Sequence, residues 1–298
     1  MKNLTMYCLS LNPNHLDTIK KFNYVPVGLG KETFSKEWFR DNTGENISYK
    51  NKYYGEYTFH YWIWKNYLDK IQDGWIGFCQ YRKFWSVADL IKNKSFETSK
   101  EIVHKFLVST KNDDSKSDPS GSLDKLNSLV LKQIPNEYED FDVILGELMP
   151  INKLKLMKVL KRGLGAVLRN PIVLLDREKR NIKFHFDMWH GHNYLSKAIE
   201  LLDETNRDDF NYFVNTECSF NPENMFICKS KKIIKNYYET IFPWFARCEK
   251  EFGLEKLSGY ENRLYGFLAE RFLSYWFKKN TKYKTMPIIF YDIRKDLD

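Results

Sequence analysis

Apolar and polar positions alternate along the chain between short, almost wholly apolar runs and longer stretches with helical spacing. Residues 4–10 (LTMYCLS) predict a buried first strand, and 22–30 (FNYVPVGLG) a second short strand closing on glycines. The stretch 41–51 (DNTGENISYKN) is dense in Asn, Asp, Ser and Gly and reads as a polar loop. It feeds 53–71 (YYGEYTFHYWIWKNYLDKI), whose aromatics recur at helical spacing as in a buried helix. Residues 75–85 (WIGFCQYRKFW) open as a strand with a glycine inside it and end in a polar and basic group, where strand should give way to loop. In open α/β sheets such carboxyl ends are where ligands bind.

Residues 109–124 (STKNDDSKSDPSGSLD) have almost no apolar content and a Pro-Ser-Gly turn, so a mobile insertion is expected there within a single domain spanning 1–298. Strand returns at 138–147 (YEDFDVILGE). The segment 153–169 (KLKLMKVLKRGLGAVLR) carries six basic residues and no acid among Leu, Met and Val. It reads either as a basic amphipathic helix lying on anionic lipid or as a solvated helix with a basic outer face, with Gly163 and Gly165 weakening the helix. HFDMWHGH (185–192) sets three histidines and an aspartate ahead of an amphipathic helix. A polar loop and the short strand NMFIC (224–228) then lead into a long helix to 252. An aromatic helix over 261–280 and a last strand in TMPIIFYDI (285–293) complete an α/β pattern with a helical C-terminal part.

Composition narrows the class. The chain has 298 residues, 43% hydrophobic and 16% aromatic, enough for a sizeable core. No run approaches the roughly 18 consecutive apolar residues of a membrane-spanning helix, and the first residues lack a signal-peptide pattern, so a cytoplasmic location is expected. The five cysteines (Cys8, Cys79, Cys218, Cys228, Cys248) form no C-x-x-C pair and imply neither zinc nor a disulfide framework. A formal charge of +8 favours an acidic partner: nucleic acid, an anionic membrane surface or a phosphorylated ligand. The aromatics recur beside Leu and Ile on helix faces, as a core demands, which argues against base-stacking platforms and hence against a nucleic-acid partner.

The segments DNTGENIS, YWIWKN, IGFCQYRKF, NPENMFI and YGFLAERFLSYWF occur in an order and spacing that covers the chain from about residue 5 to residue 277. Together they resemble a family of glycosyltransferase-like proteins, catalogued as a domain of unknown function and found in capsule and lipopolysaccharide gene clusters. The resemblance implies a glycosyltransferase A-type fold, a Rossmann-like mixed sheet flanked by helices that holds a nucleotide sugar at its strand ends. It implies a hexosyltransferase moving a hexose, with galactose in pyranose or furanose form as a plausible sugar, to a growing glycan or lipid-linked glycan. That places the chain in polysaccharide biosynthesis, at the inner face of the cytoplasmic membrane if the basic segment makes peripheral contact with it. The family usually carries His-Tyr-Arg-Arg where this chain has Gln80, Tyr81, Arg82 and Lys83, so no imidazole-dependent role is expected at Gln80.

Sugar transfer needs the departing diphosphate stabilised by a divalent metal or by fixed positive charge. Many A-type enzymes close the strand equivalent to WIGFCQYRKF with an Asp-x-Asp pair; here Arg82 and Lys83 stand instead, and Arg82 is expected to do the metal's work or else to be a structural ion-pair partner. The metal is unknown: Asp187, His190 and His192 could supply ligands for manganese or magnesium, contact the acceptor, or pack. Asn46, Ser48, Asn51 and Glu56 are candidate donor contacts beside Gln80, Tyr81 and Lys83, although Asn46, Ser48 and Asn51 also suit hydrogen bonds to their own backbone and Glu56 suits a helix start equally. Glu270, in the otherwise apolar YGFLAERF, is the first candidate for the catalytic base, or for an ion pair with Arg271, which is itself a candidate acceptor contact. Glu261 and Glu217 are in reserve. Asn224 resembles a position that touches sugar or acceptor in related folds. The alternative to an enzyme is a non-catalytic scaffold for anionic polymer or membrane in polysaccharide assembly.

Overall fold

The computed structural model describes residues 3–72, 74–86, 119–257, 259–291 and 293. The strands are β1 (Leu4–Ser10), β2 (Val25–Gly28), β3 (Phe39–Arg40), β4 (Trp75–Gln80), β5 (Lys83–Trp85), β6 (Val143–Gly146), β7 (Met149–Pro150), β8 (Ser219–Phe220), β9 (Phe226–Cys228), β10 (Tyr283–Met286) and β11 (Ile288–Phe290). The helices are α1 (Leu16–Lys21), α2 (Asn51–Tyr54), α3 (Tyr57–Asn66), α4 (Pro119–Leu129), α5 (Leu156–Arg169), α6 (Ile182–His190), α7 (Tyr194–Glu200), α8 (Glu204–Thr216), α9 (Lys231–Phe252) and α10 (Leu264–Asn280).

One mixed sheet runs in the order β10-β6-β9-β4-β1-β2-β3, with β5 joined to β4 and β11 to β5. β1 pairs parallel with both β2 and β4, while β9 runs antiparallel between β4 and β6. The near-continuous apolar character of β1 follows from burial on both faces, as in sheets covered by helices on either side. The pleat sorts its residues: Tyr7 and Leu9 join the core beneath α3, α9 and α10, whereas Met6 and Cys8 join a second core with Ile19 of α1 and Leu126 of α4. β4, β6 and β9 alternate between the same two cores.

Several elements differ in detail from the pattern. The helix expected over 53–71 is split by Gly55, whose φ of 56° and ψ of −132° no helix contains. The last strand is cut in two by Pro287, which has no N–H for a ladder. Most of the expected mobile insertion at 109–124 falls outside the described residues; from Pro119 onward the chain is α4, so the Pro-Ser-Gly triplet lies in a helix where a turn was expected. The basic segment 153–169 forms α5, kinked at Gly163. A Cβ at Gly163 would lie 2.5 Å from Cγ of Met188, so the glycine that weakens the helix locally is what lets it pack against α6.

Candidate functional site

The chain passes from β1 outward to β2 and β3, then crosses back through α3 to β4 on the other side of β1. The order therefore reverses between β1 and β4, and in an open α/β sheet such a switch point opens a crevice at the strands' carboxyl ends. A cleft of about 400 Å³ lies there. Leu9, Ser10 and Leu11 from the end of β1 and Leu29 just after β2 form its floor. Gln80, Tyr81, Arg82 and Lys83 from the end of β4 form one wall, and Asn51, Lys52, Gly55 and Glu56 of the α2–α3 break, with Arg263, form the rest. Among the described residues the lining thus carries four cationic side chains, Lys52, Arg82, Lys83 and Arg263, against the single carboxylate of Glu56.

Six of the nine residues expected to hold the donor or do the chemistry line this cleft: Arg82, Asn51, Glu56, Gln80, Tyr81 and Lys83. Tyr81 is stacked on His15, with ring centroids 5.1 Å apart, and the Arg82 guanidinium lies 5.2 Å from the Phe290 ring centroid. Asn51 donates from Nδ2 to the carbonyl of Gly55 at 3.0 Å and so fixes the helix break that exposes Glu56. Asn46 and Ser48 are not in the cleft wall. The Asn46 carboxamide oxygen accepts from the Ser48 backbone N–H and hydroxyl, both at 3.2 Å, so this pair serves the loop's own backbone.

Glu56 is held by amides. Its Oε1 accepts from Gln80 Nε2 at 3.3 Å and from Asn224 Nδ2 at 2.9 Å. Asn224 reaches it because Glu223 and Asn224 both adopt left-handed backbone, φ 86° and 50°, a costly conformation for non-glycine residues that clusters where geometry matters. That turn is tied down on two sides. Lys83 pairs with the Glu223 carboxylate, and the Glu223 backbone N–H donates to Glu270 Oε1 at 2.7 Å.

Glu270 stands behind this wall and does not line the cleft. Its other oxygen pairs with Arg271, itself 1% exposed. Burial pushes the Glu270 carboxyl up, while the Arg271 charge opposes that shift. Both oxygens are engaged with protein groups, which suits an anchor for the Glu223–Asn224 turn better than a base meeting substrate. Arg271 also donates from Nη2 to His185 Nδ1 at 3.0 Å and to His190 Nε2 at 3.1 Å. Burial, and next the Arg271 cation, hold both imidazoles far below their usual range, so they are neutral acceptors.

The histidine cluster therefore does not gather as expected. His185 and His190 lie on α6 and not in a loop, and His190 is stacked on Phe267 at 3.8 Å between ring centroids. His192, past the Gly191 break, faces away to Asp187, whose Oδ2 also accepts from Lys183. Among the described residues no three His, Cys, Asp or Glu side chains gather as metal ligands do. Among the described residues, the lining of the cleft offers a divalent ion one carboxylate, Glu56, and no imidazole or thiolate. Of the reserve carboxylates, Glu261 lies against Gly191 and beside Tyr194, whose hydroxyl is pushed up by burial and then by Glu261, and Glu217 ends α8 beside Lys278. Neither lines the cleft. The sequence reading missed Lys52 and Arg263. Lys52 was within reach as the residue that directly follows the polar stretch 41–51, but nothing local marks Arg263, which reaches the cleft because α10 begins beside it.

A family model described as a domain of unknown function, DUF4422, matches residues 7–281. No curated protein matches the chain. Among solved structures, the apo structure of the bifunctional glycosyltransferase WbbM is similar over 97% of this chain, with a TM-score of 0.58 and 19% identity. The chain spans 45% of that longer protein. At that identity the likeness establishes the fold, a mixed sheet flanked by helices.

Proposed function

The chain belongs to the DUF4422 family, and from that premise we propose that it is a glycosyltransferase of A-type fold, moving a hexose from a nucleotide-sugar donor to a growing capsular or lipopolysaccharide glycan. The observation that carries this reading is the cation-lined cleft at the switch point of the sheet, with one amide-held carboxylate on its wall. The likeness to a glycosyltransferase structure over almost the whole chain agrees with it.

Each group has a task in such a reaction. Arg82 and Arg263 grip the diphosphate oxygens with planar, permanently charged guanidinium groups, and Lys52 adds positive field, while Lys83 is paired with Glu223. As the bond from the anomeric carbon to the diphosphate oxygen breaks, this charge stabilises the leaving group, so manganese or magnesium is not required. Asn51 and Tyr81 offer hydrogen bonds to the ribose or base. Glu56 takes the proton of the acceptor hydroxyl as its oxygen attacks, with Gln80 and Asn224 aiming the carboxylate. Glu270 and Arg271 act on positioning, through the Glu223–Asn224 turn.

Thermal unfolding in a panel of nucleoside diphosphates and their hexose derivatives, with and without manganese or magnesium, tests the reading. A ligand at 100 times its dissociation constant adds about 2.7 kcal/mol to the native state. The expected result is a raised melting temperature with one diphosphate in the absence of metal, lost in Arg82→Ala. A strict metal requirement would remove the substitute role from Arg82 and Arg263, and no shift with any member would sink the donor site.

A further inference from the structure

The segment from Leu156 to Leu175 stands apart from the cleft and differs in kind from the rest of the surface. α5 buries Val159, Ala166 and Val167 with Val173, Phe184 and Met188 in a small core separate from the two that sandwich the sheet. Its outer side is apolar as well. Met157 is 63% exposed, Leu164 58% and Leu168 73%, and Leu175, in the turn after the helix, 88%. Leu164 and Leu168, four residues apart, share a face after the Gly163 kink, and with Met157 before it they make an exposed apolar row that bends at the kink. Ile172 and Leu174, also exposed, extend the apolar surface beyond it.

Cations border this row. Lys158, Lys161, Arg162 and Arg169 are all exposed on α5, and from 151 to 175 the chain has six basic residues and no acidic one. Isolated exposed leucines need no explanation, but contiguous aliphatic side chains beside an unopposed basic band do. We propose that this face of α5 and the turn after it docks on an anionic lipid bilayer, the row of Met157, Leu164 and Leu168 entering the boundary between headgroups and acyl chains while the lysines and arginines lie on the lipid phosphates.

Charge selects the bilayer over other occupants. A second copy of the chain in a two-fold contact would bring the same basic band against itself, with like charges facing across the interface. An acidic polymer in solution would engage the cations and leave the leucines in water. An anionic bilayer satisfies both halves of the face at once, and no helix among the described residues is long and apolar enough to cross it. The proposal is independent of what the cleft binds.

Co-sedimentation of the full chain with vesicles tests it, comparing phosphatidylcholine alone with phosphatidylcholine mixed with phosphatidylglycerol. Binding is expected only to the anionic vesicles, weakening as salt rises. Leu164→Asp with Leu168→Asp should lower partitioning about ten-fold or more, and Lys161→Glu should lower it by a smaller factor, both without change in the circular dichroism spectrum or in turnover on a water-soluble acceptor. Absence of binding by the parent chain overturns the proposal. So does equal binding by the aspartate variant, which would reduce the attraction to charge alone. A concentration-dependent dimer in sedimentation velocity that the aspartate variant abolishes would give the face to a second copy instead.

Discussion

At the scale of single residues, the two carboxylates Glu56 and Glu270 separate by what their neighbours leave them free to do. Glu56 faces the cleft and is aimed by two amides, so Glu56→Gln should keep its fold and lose turnover by about 10²–10⁴-fold, the range of a general base. Glu270 faces Arg271 and a backbone N–H inside the protein. Replacing it with glutamine leaves a buried guanidinium without its counter-charge, a change that costs about 3–5 kcal/mol when a buried pair is broken. Unfolding in urea should therefore report Glu270→Gln strongly and Glu56→Gln weakly, with initial rates reporting the reverse. If Glu270→Gln were as stable as the parent and equally inactive, the base would be Glu270 after all. Arg82→Ala, by loss of one charge from the leaving-group site, should cost about 10²–10³-fold in rate with the melting temperature held.

At the scale of elements, Gly163 looks like a defect in the helical pattern and is instead a point of close packing. Gly163 kinks α5 and admits the Met188 side chain of α6. Gly163→Ala should raise intrinsic helix propensity yet lower stability by about 1–3 kcal/mol, because the added methyl overpacks a filled contact. A melting temperature above that of the parent would show that the contact yields. The sequence carried the strands and the long C-terminal helices plainly, since an apolar run or an aromatic stripe encodes its own burial. It left HFDMWHGH open between metal ligands, acceptor contacts and packing for an equally physical reason: nothing local shows that His185 and His190 are buried on α6, kept neutral first by that burial and next by the Arg271 guanidinium that reaches across from α10.

At the scale of the whole molecule, three of the buried imidazoles tie stability to pH. His60, hydrogen-bonded to the Tyr238 hydroxyl at 2.7 Å, is lowered by burial to about 3, and His185 and His190 are lowered by burial and then by Arg271. Above the ordinary histidine value of about 6.5 neither folded nor unfolded chain protonates them, and their contribution is complete. As pH falls below it, the unfolded chain takes up protons that the folded chain refuses, so stability falls, by up to roughly 4 kcal/mol per pH unit for three such groups. Asp41, Glu147 and Glu270, raised by burial, oppose this at lower pH because their folded forms protonate first. Urea midpoints should therefore drop between pH 7 and pH 5, and a flat profile there would mean that the imidazoles protonate in place.

The order of strands and helices, the two-sided burial of β1 and the basic, acid-free stretch around α5 were decided by the sequence itself, because each depends on side-chain type at local spacing. Gln80 through Lys83 were legible for a related reason, a strand ending in polar and basic residues. What only the tertiary structure decided is which groups meet. Arg263 joins Arg82 across the cleft, Asn224 reaches Glu56 through a left-handed turn, and Glu270 falls behind the wall. Those outcomes follow from how α10 and the Glu223–Asn224 turn pack on the sheet, and contacts between residues far apart in the chain leave no mark on the local pattern of either.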